Sequence, residues 1–413
     1  MRFLLLLVSL LIPSVALAQN LSVSGTAEPK LAAFDRLIAN FVKQNGVPGA
    51  TLAVAKNGRL VYSRGFGYSD LEAKTPVGPH DLFRIASVSK PLTAAAVLQL
   101  AERGKLDLDD KAFDILKLDP VLEPATRPDP RVRQITVRHL LQHTGGWDSE
   151  RSIDPMFRSG DAARATGTPA PATAEAIIRY MLGRPLDFDP GTRYVYSNFG
   201  YCVLGRIIEH VAGMPYEDYV RKEVLAPLDI NDMRLGRSRF SDRAKSEVRY
   251  YDLKNQLVQS VFPNGGEVPW AYGGWHLEAM DSHGGWIASA QDLVRFAAAF
   301  EAPAKCRILN AKSIATMFAR PTYLERGTPA EFWYGCGWDV RPVGRAGKFT
   351  YWHSGKMVGS AALLVRRYDG VCWAVLCNAD ANATGESLLD KIDPALHEAA
   401  DHIKQWPAGN QFK

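Results

Sequence analysis

Hairpin signals stand near both ends of this 413-residue chain with largely helical sequence between them, and few architectures satisfy both. At the front, Leu31, Phe34, Leu37, Ile38, Phe41 and Val42 recur at helical spacing. Two strand-like runs follow, Ala50 to Ala55 and Leu60 to Arg64, joined at Asn57-Gly58, a pair suited to a two-residue turn with both φ angles positive. The tail mirrors this arrangement: Ser360 to Arg366 and Val371 to Cys377 read as strands around Tyr368-Asp369-Gly370, and Glu386 to Ile403 reads as a closing helix. The expected class is therefore α+β, with strands from both termini sharing one antiparallel sheet flanked by helices. The middle is then an insertion, with helices predicted near Thr93 to Glu102, Val137 to Gln142, Thr173 to Met181 and Tyr201 to Ala212. Pro- and Gly-rich loops such as Asp119 to Pro130 and Gly167 to Ala172 separate them. The spacing predicts a sheet lobe from 27–86 and 275–413 and a mainly helical lobe from 87–274.

Met1-Arg2, the apolar core Phe3 to Ile12 and Ala16-Leu17-Ala18 before Gln19 form the three-part pattern of a cleaved secretory signal over residues 1–18. A periplasmic or secreted chain is expected, without a membrane span after cleavage. The formal charge of +5 is spread along the sequence with no basic block, which argues against a nucleic-acid partner. Five cysteines, Cys202, Cys306, Cys336, Cys372 and Cys377, imply no disulfide framework. Cys372 and Cys377, at odd spacing in one predicted strand, face opposite sides and are not expected to pair.

Ser87-Val88-Ser89-Lys90 opens an apolar helical stretch, and Pro91 fits only its first turn. A serine hydroxyl then has a lysine amine one turn away on the same face, a nucleophile beside a base. Burial and the helix dipole lower the amine's pKa towards a useful value. Alone the motif reads more readily as a capping serine with a surface lysine. Tyr196-Ser197-Asn198 follows Asp189-Pro190-Gly191 in a loop before a helix. Tyr196 can relay a proton to a leaving group and Asn198 can orient a substrate carbonyl, while Asn198 as a helix cap is the plainer alternative. His353-Ser354-Gly355 precedes the tail hairpin: Gly355 admits a substrate backbone to a sheet edge, and His353 can bond a substrate carboxylate or the reacting groups.

S-x-x-K, then Y-x-N, then a basic residue two before glycine is the pattern of the serine β-lactamase and penicillin-binding protein superfamily, which this chain resembles. It looks most like the class C branch with its relatives the family VIII carboxylesterases, D-alanyl-D-alanine carboxypeptidases and D-aminopeptidases. Further matches are Leu140-Leu141-Gln142-His143-Thr144-Gly145-Gly146, Phe188-Asp189-Pro190-Gly191, Gly284-Gly285-Trp286-Ile287-Ala288-Ser289 and Tyr334-Gly335-Cys336-Gly337-Trp338. The resemblance implies a β-lactamase/transpeptidase-like fold, an antiparallel sheet flanked by helices with an all-helical lobe, and a site in the cleft between. It implies that Ser87 attacks the acyl carbon, Lys90 and Tyr196 share proton transfer, Asn198 holds the substrate amide, and the N–H groups of Ser87 and Lys356 form the oxyanion hole. His353 stands where the lactamases carry lysine, which weakens the fixed charge for a β-lactam carboxylate. The expected activity is an acyl-enzyme hydrolase of esters, amides or peptides, cell-wall-derived compounds among its substrates. The alternatives are a true β-lactamase and a noncatalytic protein binding peptidoglycan peptides.

No metal or cofactor is expected. His139 and His143 have zinc spacing, but Leu140 occupies the place of a zinc protease's glutamate and no third ligand is evident. Gly65-Phe66-Gly67 lacks the rest of a dinucleotide fingerprint, and no G-x-S-x-G nucleophile elbow occurs. Tyr272 and Trp275, beside glycines in a predicted loop, are expected in the cleft wall.

Overall fold

The structure is a computed structural model that describes residues 21–122, 127–324, 331–344 and 347–412. The secretory pattern of residues 1–18, Lys413 and part of the loop expected over Asp119 to Pro130 lie outside these residues. The chain opens with helix α1 (Ala32–Asn45), whose Phe34, Ile38, Phe41 and Val42 are buried and which ends at Gly46 in the left-handed region, φ 63°. Strands β1 (Gly49–Lys56) and β2 (Arg59–Asp70) follow, paired from Lys56↔Arg59 outward. Their turn has Asn57 at φ 50° and Gly58 at φ 72°, the doubly positive geometry that matches the twist of the flanking strands.

Three helices of the middle matter for the site: α2 (Lys90–Glu102), α3 (Asn198–Ala212) and α4 (Ala290–Ala298). The tail supplies β3 (Asp339–Val343), β4 (Lys348–Met357), β5 (Ser360–Arg366) and β6 (Val371–Cys377), then α5 (Leu388–Asp401), capped by Ser387. β6 pairs with β1 from Val371↔Lys56 to Cys377↔Ala50, so the two terminal hairpins join into one antiparallel sheet. Its order is Val23–Ser24, β2, β1, β6, β5, β4, β3, Trp333–Tyr334.

The sheet is buried on both faces, which explains why its central strands read as continuous apolar runs. Ala50, Leu52, Val54, Leu363 and Trp373 pack under α1 and α5, while Ala53, Ala55, Ala362, Leu364 and Ala374 share a core with α2, α3 and α4. Cys372 belongs to the second core and Cys377 to the first, opposite faces as the odd spacing requires. All five cysteines are free.

The span 87–274 carries α2, α3 and shorter helices, and also a ribbon, Leu257–Gln259 with Glu267–Pro269, and Arg234–Leu235, which pairs with Trp286–Ala288. These pieces are two or three residues long, too short to leave a period in the sequence. α2 is buried on every side from Lys90 to Leu100. A helix surrounded in this way has no solvent face on which to place its lysine.

Candidate active site

Phe83–Arg84 pairs with Trp286–Ala288 and delivers the chain into a 3-10 turn, Ala86–Ser89, that runs straight into α2. Ala86 sits at φ 44°, a left-handed conformation that costs a residue with a Cβ about 1–2 kcal/mol. This strained residue sets the sharp turn that presents Ser87. Pro91 falls in the first turn of α2, as its missing N–H requires.

Lys90 is completely buried. Its Nζ lies 3.0 Å from Ser87 Oγ, 2.8 Å from Asn198 Oδ1 and 3.0 Å from the His283 carbonyl oxygen. Burial pushes its pKa well below the usual lysine value, with the Asp154 carboxylate acting in the opposite direction. A neutral amine has two N–H groups and one lone pair. Carbonyl oxygens only accept, so the N–H groups go to Asn198 and His283 and the lone pair remains for the Ser87 hydroxyl proton. The pair is placed so that the hydroxyl could act as a nucleophile and the amine as its base.

Tyr196 is half-buried, hydrogen-bonds Ser87 and has its ring centroid 4.6 Å from Lys90 Nζ. Burial raises the phenol's pKa far above its ordinary value, so the group stays protonated and can donate or relay a proton but does not stand as a phenolate. Attack by Ser87 Oγ on an acyl carbon would pass the hydroxyl proton to Lys90. The leaving group would take a proton through Tyr196 as its bond to the acyl carbon breaks, and water would then release the acyl group from Oγ.

Asn198 is the first residue of α3, and the helix is capped by its neighbour: Ser197 Oγ accepts the Gly200 N–H at 3.1 Å. The Asn198 amide is left for the site, with Oδ1 towards Lys90 and Nδ2 donating to Asp154 Oδ2 at 2.7 Å.

The third motif departs from expectation in two ways. His353 is buried; Nδ1 lies 2.7 Å from the Ser354 carbonyl oxygen and Nε2 2.9 Å from the Tyr334 hydroxyl. The carbonyl fixes the proton on Nδ1, so Nε2 accepts from Tyr334, and neither nitrogen is left for a substrate carboxylate. Burial lowers its pKa to about 3, so the ring is neutral. Gly355 serves a protein contact: a Cβ there would lie 2.1 Å from Ile85 O and 3.1 Å from Ser87 N. The strand can touch the nucleophile's turn only through glycine. Gly355→Ala is accordingly expected to destabilise the fold by about 3 kcal/mol and to lower activity about 100-fold, read by thermal unfolding and ester turnover. Wild-type values for both would refute that close approach.

Ser354 and Lys356 are exposed on the half of β4 beyond its pairing with β3, beside the Ser87 turn. Lys356 Nζ lies 3.8 Å from Asp380 Oδ2, which offsets its charge.

Tyr272 is not in this cleft. It lines a cavity of about 730 Å³ with Phe240, Tyr250, Phe262 and the 257–269 ribbon. The Tyr250 N–H donates to its hydroxyl at 2.7 Å, and Arg84 stacks 5.5 Å from its ring. Trp275 is buried and packs edge-on against Phe157 at 6.3 Å, three residues from Asp154. His139 closes a capping box with Thr136, whereas His143 Nδ1 accepts the Ser197 N–H at 3.1 Å inside a cage of Tyr194, Tyr196, Tyr201 and Tyr334.

Sequence reasoning missed Asp154, the His283 carbonyl and the role of Tyr334. Asp154 before Pro155 reads only as a turn start. The His283 contact uses backbone, which residue identity does not reveal.

The Beta-lactamase family model matches residues 34–396. The chain belongs to the Beta-lactamase family. Within it, the chain is 27% identical over 358 residues to Penicillin-binding protein 4* of Bacillus subtilis (strain 168), covering 86% of this chain and 71% of that protein. Protein flp of Staphylococcus aureus (strain N315) is 28% identical over 240 residues, 58% of this chain and 45% of flp, so the match spans less than half of that relative. Among solved structures, the octameric penicillin-binding protein homologue from Pyrococcus abyssi superposes with a TM-score of 0.64 at 26% identity, over 86% of this chain and 75% of that one. D-amino acid amidase from Ochrobactrum anthropi SV3, complexed with L-phenylalanine amide, superposes with a TM-score of 0.67 at 24% identity, over 91% and 99%. These likenesses bear out the α+β class with its antiparallel sheet and helices. As a Beta-lactamase-family member the chain is a serine hydrolase. No helix among the described residues is long and apolar enough to cross a membrane.

Proposed function

We propose that this family member is an exported hydrolase that forms an acyl-enzyme on Ser87 and cleaves esters or amides of small acyl groups, D-amino-acid compounds included. The observation that carries the reading is the fully buried Lys90 amine, held by the Asn198 and His283 oxygens with its nitrogen 3.0 Å from Ser87 Oγ. A structural or merely binding protein has no use for a desolvated lysine so arranged. The shared fold with D-amino acid amidase and with a D-stereospecific amidohydrolase from Streptomyces supports amino-acyl substrates. Export rests on the pattern at residues 1–18.

β-Lactam hydrolysis is disfavoured, because neutral, internally bonded His353 supplies no cation for the lactam carboxylate and Lys356 is offset by Asp380. The test is a panel of p-nitrophenyl butyrate, D- and L-phenylalanine amide and a chromogenic cephalosporin, with the wild-type chain beside Ser87→Ala. Turnover of ester or D-amide that vanishes with the hydroxyl is expected. Efficient lactam turnover with none of the others would overturn the substrate assignment.

A further inference from the structure

Asp154 caps the turn Pro155–Phe157, one oxygen accepting the Met156 N–H at 3.1 Å and the other the Asn198 Nδ2 hydrogen at 2.7 Å. Nothing about Asn198 alone decides which way its amide faces, since oxygen and nitrogen are nearly isosteric. A carboxylate only accepts, so Asp154 forces Nδ2 towards itself and leaves Oδ1 for Lys90. The flipped amide would offer N–H to the amine, which would lose one of its two acceptors and whose lone pair would be drawn from Ser87.

We infer that Asp154 is a positioning residue of the active site: through Asn198 it orients the Lys90 amine towards Ser87. This rests on the acyl-enzyme reading above. The chain Asp154–Asn198–Lys90–Ser87 runs through contacts of 2.7, 2.8 and 3.0 Å. The other groups facing the amine are the Tyr196 and Tyr201 rings at 4.6 and 5.7 Å and the His283 carbonyl. The imidazoles of His143, His283 and His353 also sense Lys90, and burial holds all three neutral. Asp154 is thus the carboxylate that acts on Lys90, and when ionised it favours the charged amine; burial raises its own pKa, against the Asn198 and Met156 hydrogen bonds and the Lys90 charge, so its titration also enters the acidic limb. Removing its charge must lower the amine's pKa further.

The test compares the wild-type chain with Asp154→Asn and Asp154→Glu. In Asp154→Asn, kcat for p-nitrophenyl butyrate should fall about 10- to 100-fold with KM within about twofold, because orientation is lost and binding is not. The acidic limb of its pH profile should move to lower pH. Asp154→Glu keeps the charge, so its limb should stay near the wild-type position even if kcat falls. Independently of turnover, the Lys90 amine is titrated by NMR of ¹³Cε-labelled lysine, where Asp154→Asn should lower the midpoint. A chain with no Ser87-dependent turnover but a shifted Lys90 midpoint would sink the proposed function and leave Asp154's electrostatic role standing. An unmoved midpoint, or an unchanged kcat, in folded Asp154→Asn would overturn the inference. If Asp154→Asn does not fold, a Glu variant whose limb departs from wild type overturns it.

Discussion

Lys90→Met is expected to lower kcat/KM for an activated ester by about 1,000-fold, within the range that a positioned general base contributes. Methionine keeps most of the buried stem and discards the amine, so the packing of α2 should survive and the chemistry should not. The loss follows from geometry. Lys90 Nζ lies 3.0 Å from Ser87 Oγ, while both His353 nitrogens are engaged and His143 Nδ1 accepts the Ser197 N–H. Circular dichroism and thermal unfolding confirm the fold while turnover is measured. A variant that folds and retains more than about a tenth of wild-type activity would remove Lys90 from its role and leave Tyr196 as the base.

The second large effect concerns His353 and pH. Its folded pKa is depressed to about 3, whereas the unfolded imidazole titrates near 6.5. As pH falls from about 6.5 towards 3, the unfolded chain binds a proton that the folded chain refuses. The contribution of neutral His353 is therefore present above that window and lost on descending through it, by about 1.4 kcal/mol per pH unit. His353→Leu should destabilise at pH 7.5, where Tyr334 loses its acceptor, and should become the more stable of the two near pH 4. Other buried carboxyls titrate in the same interval; Asp339, raised to about 7 by burial, acts with the opposite sign. The difference between variant and wild type cancels them. Urea unfolding of both chains at pH 7.5, 6 and 4 reads it, and a difference that does not change with pH would contradict the buried neutral imidazole. For the same reason His353 should give no limb near pH 6.5 in the activity profile.

What the sequence made legible was local. Asn57-Gly58 announces its hairpin because doubly positive φ is a demand on two adjacent residues, and Ser87 and Lys90 announce a shared face because helical spacing is short-range. Asn198 was legible as a site residue, but the cap read onto it beside that role belongs to Ser197, whose hydroxyl accepts the Gly200 N–H. Gly355 was found for the wrong reason. Its glycine is demanded by Ile85, 270 positions earlier, and only the tertiary approach of β4 to the nucleophile's turn reveals it. Asp154 escaped because a capping aspartate before proline looks the same whether or not its second oxygen reaches an active-site amide. Tyr272 was placed in the cleft because it stands beside glycines in a predicted loop, whereas its hydroxyl and ring are committed to Tyr250 and Arg84 beside another cavity.

The central claim is that Ser87 carries the acyl group. It is tested most directly by mixing the chain with p-nitrophenyl butyrate, quenching in acid within the first turnover and measuring the intact mass and the modified peptide. A butyryl adduct on the peptide containing Ser87, present in wild type and absent in Ser87→Ala, is the predicted result. Ester turnover with no adduct on Ser87, or turnover that survives Ser87→Ala, would contradict it.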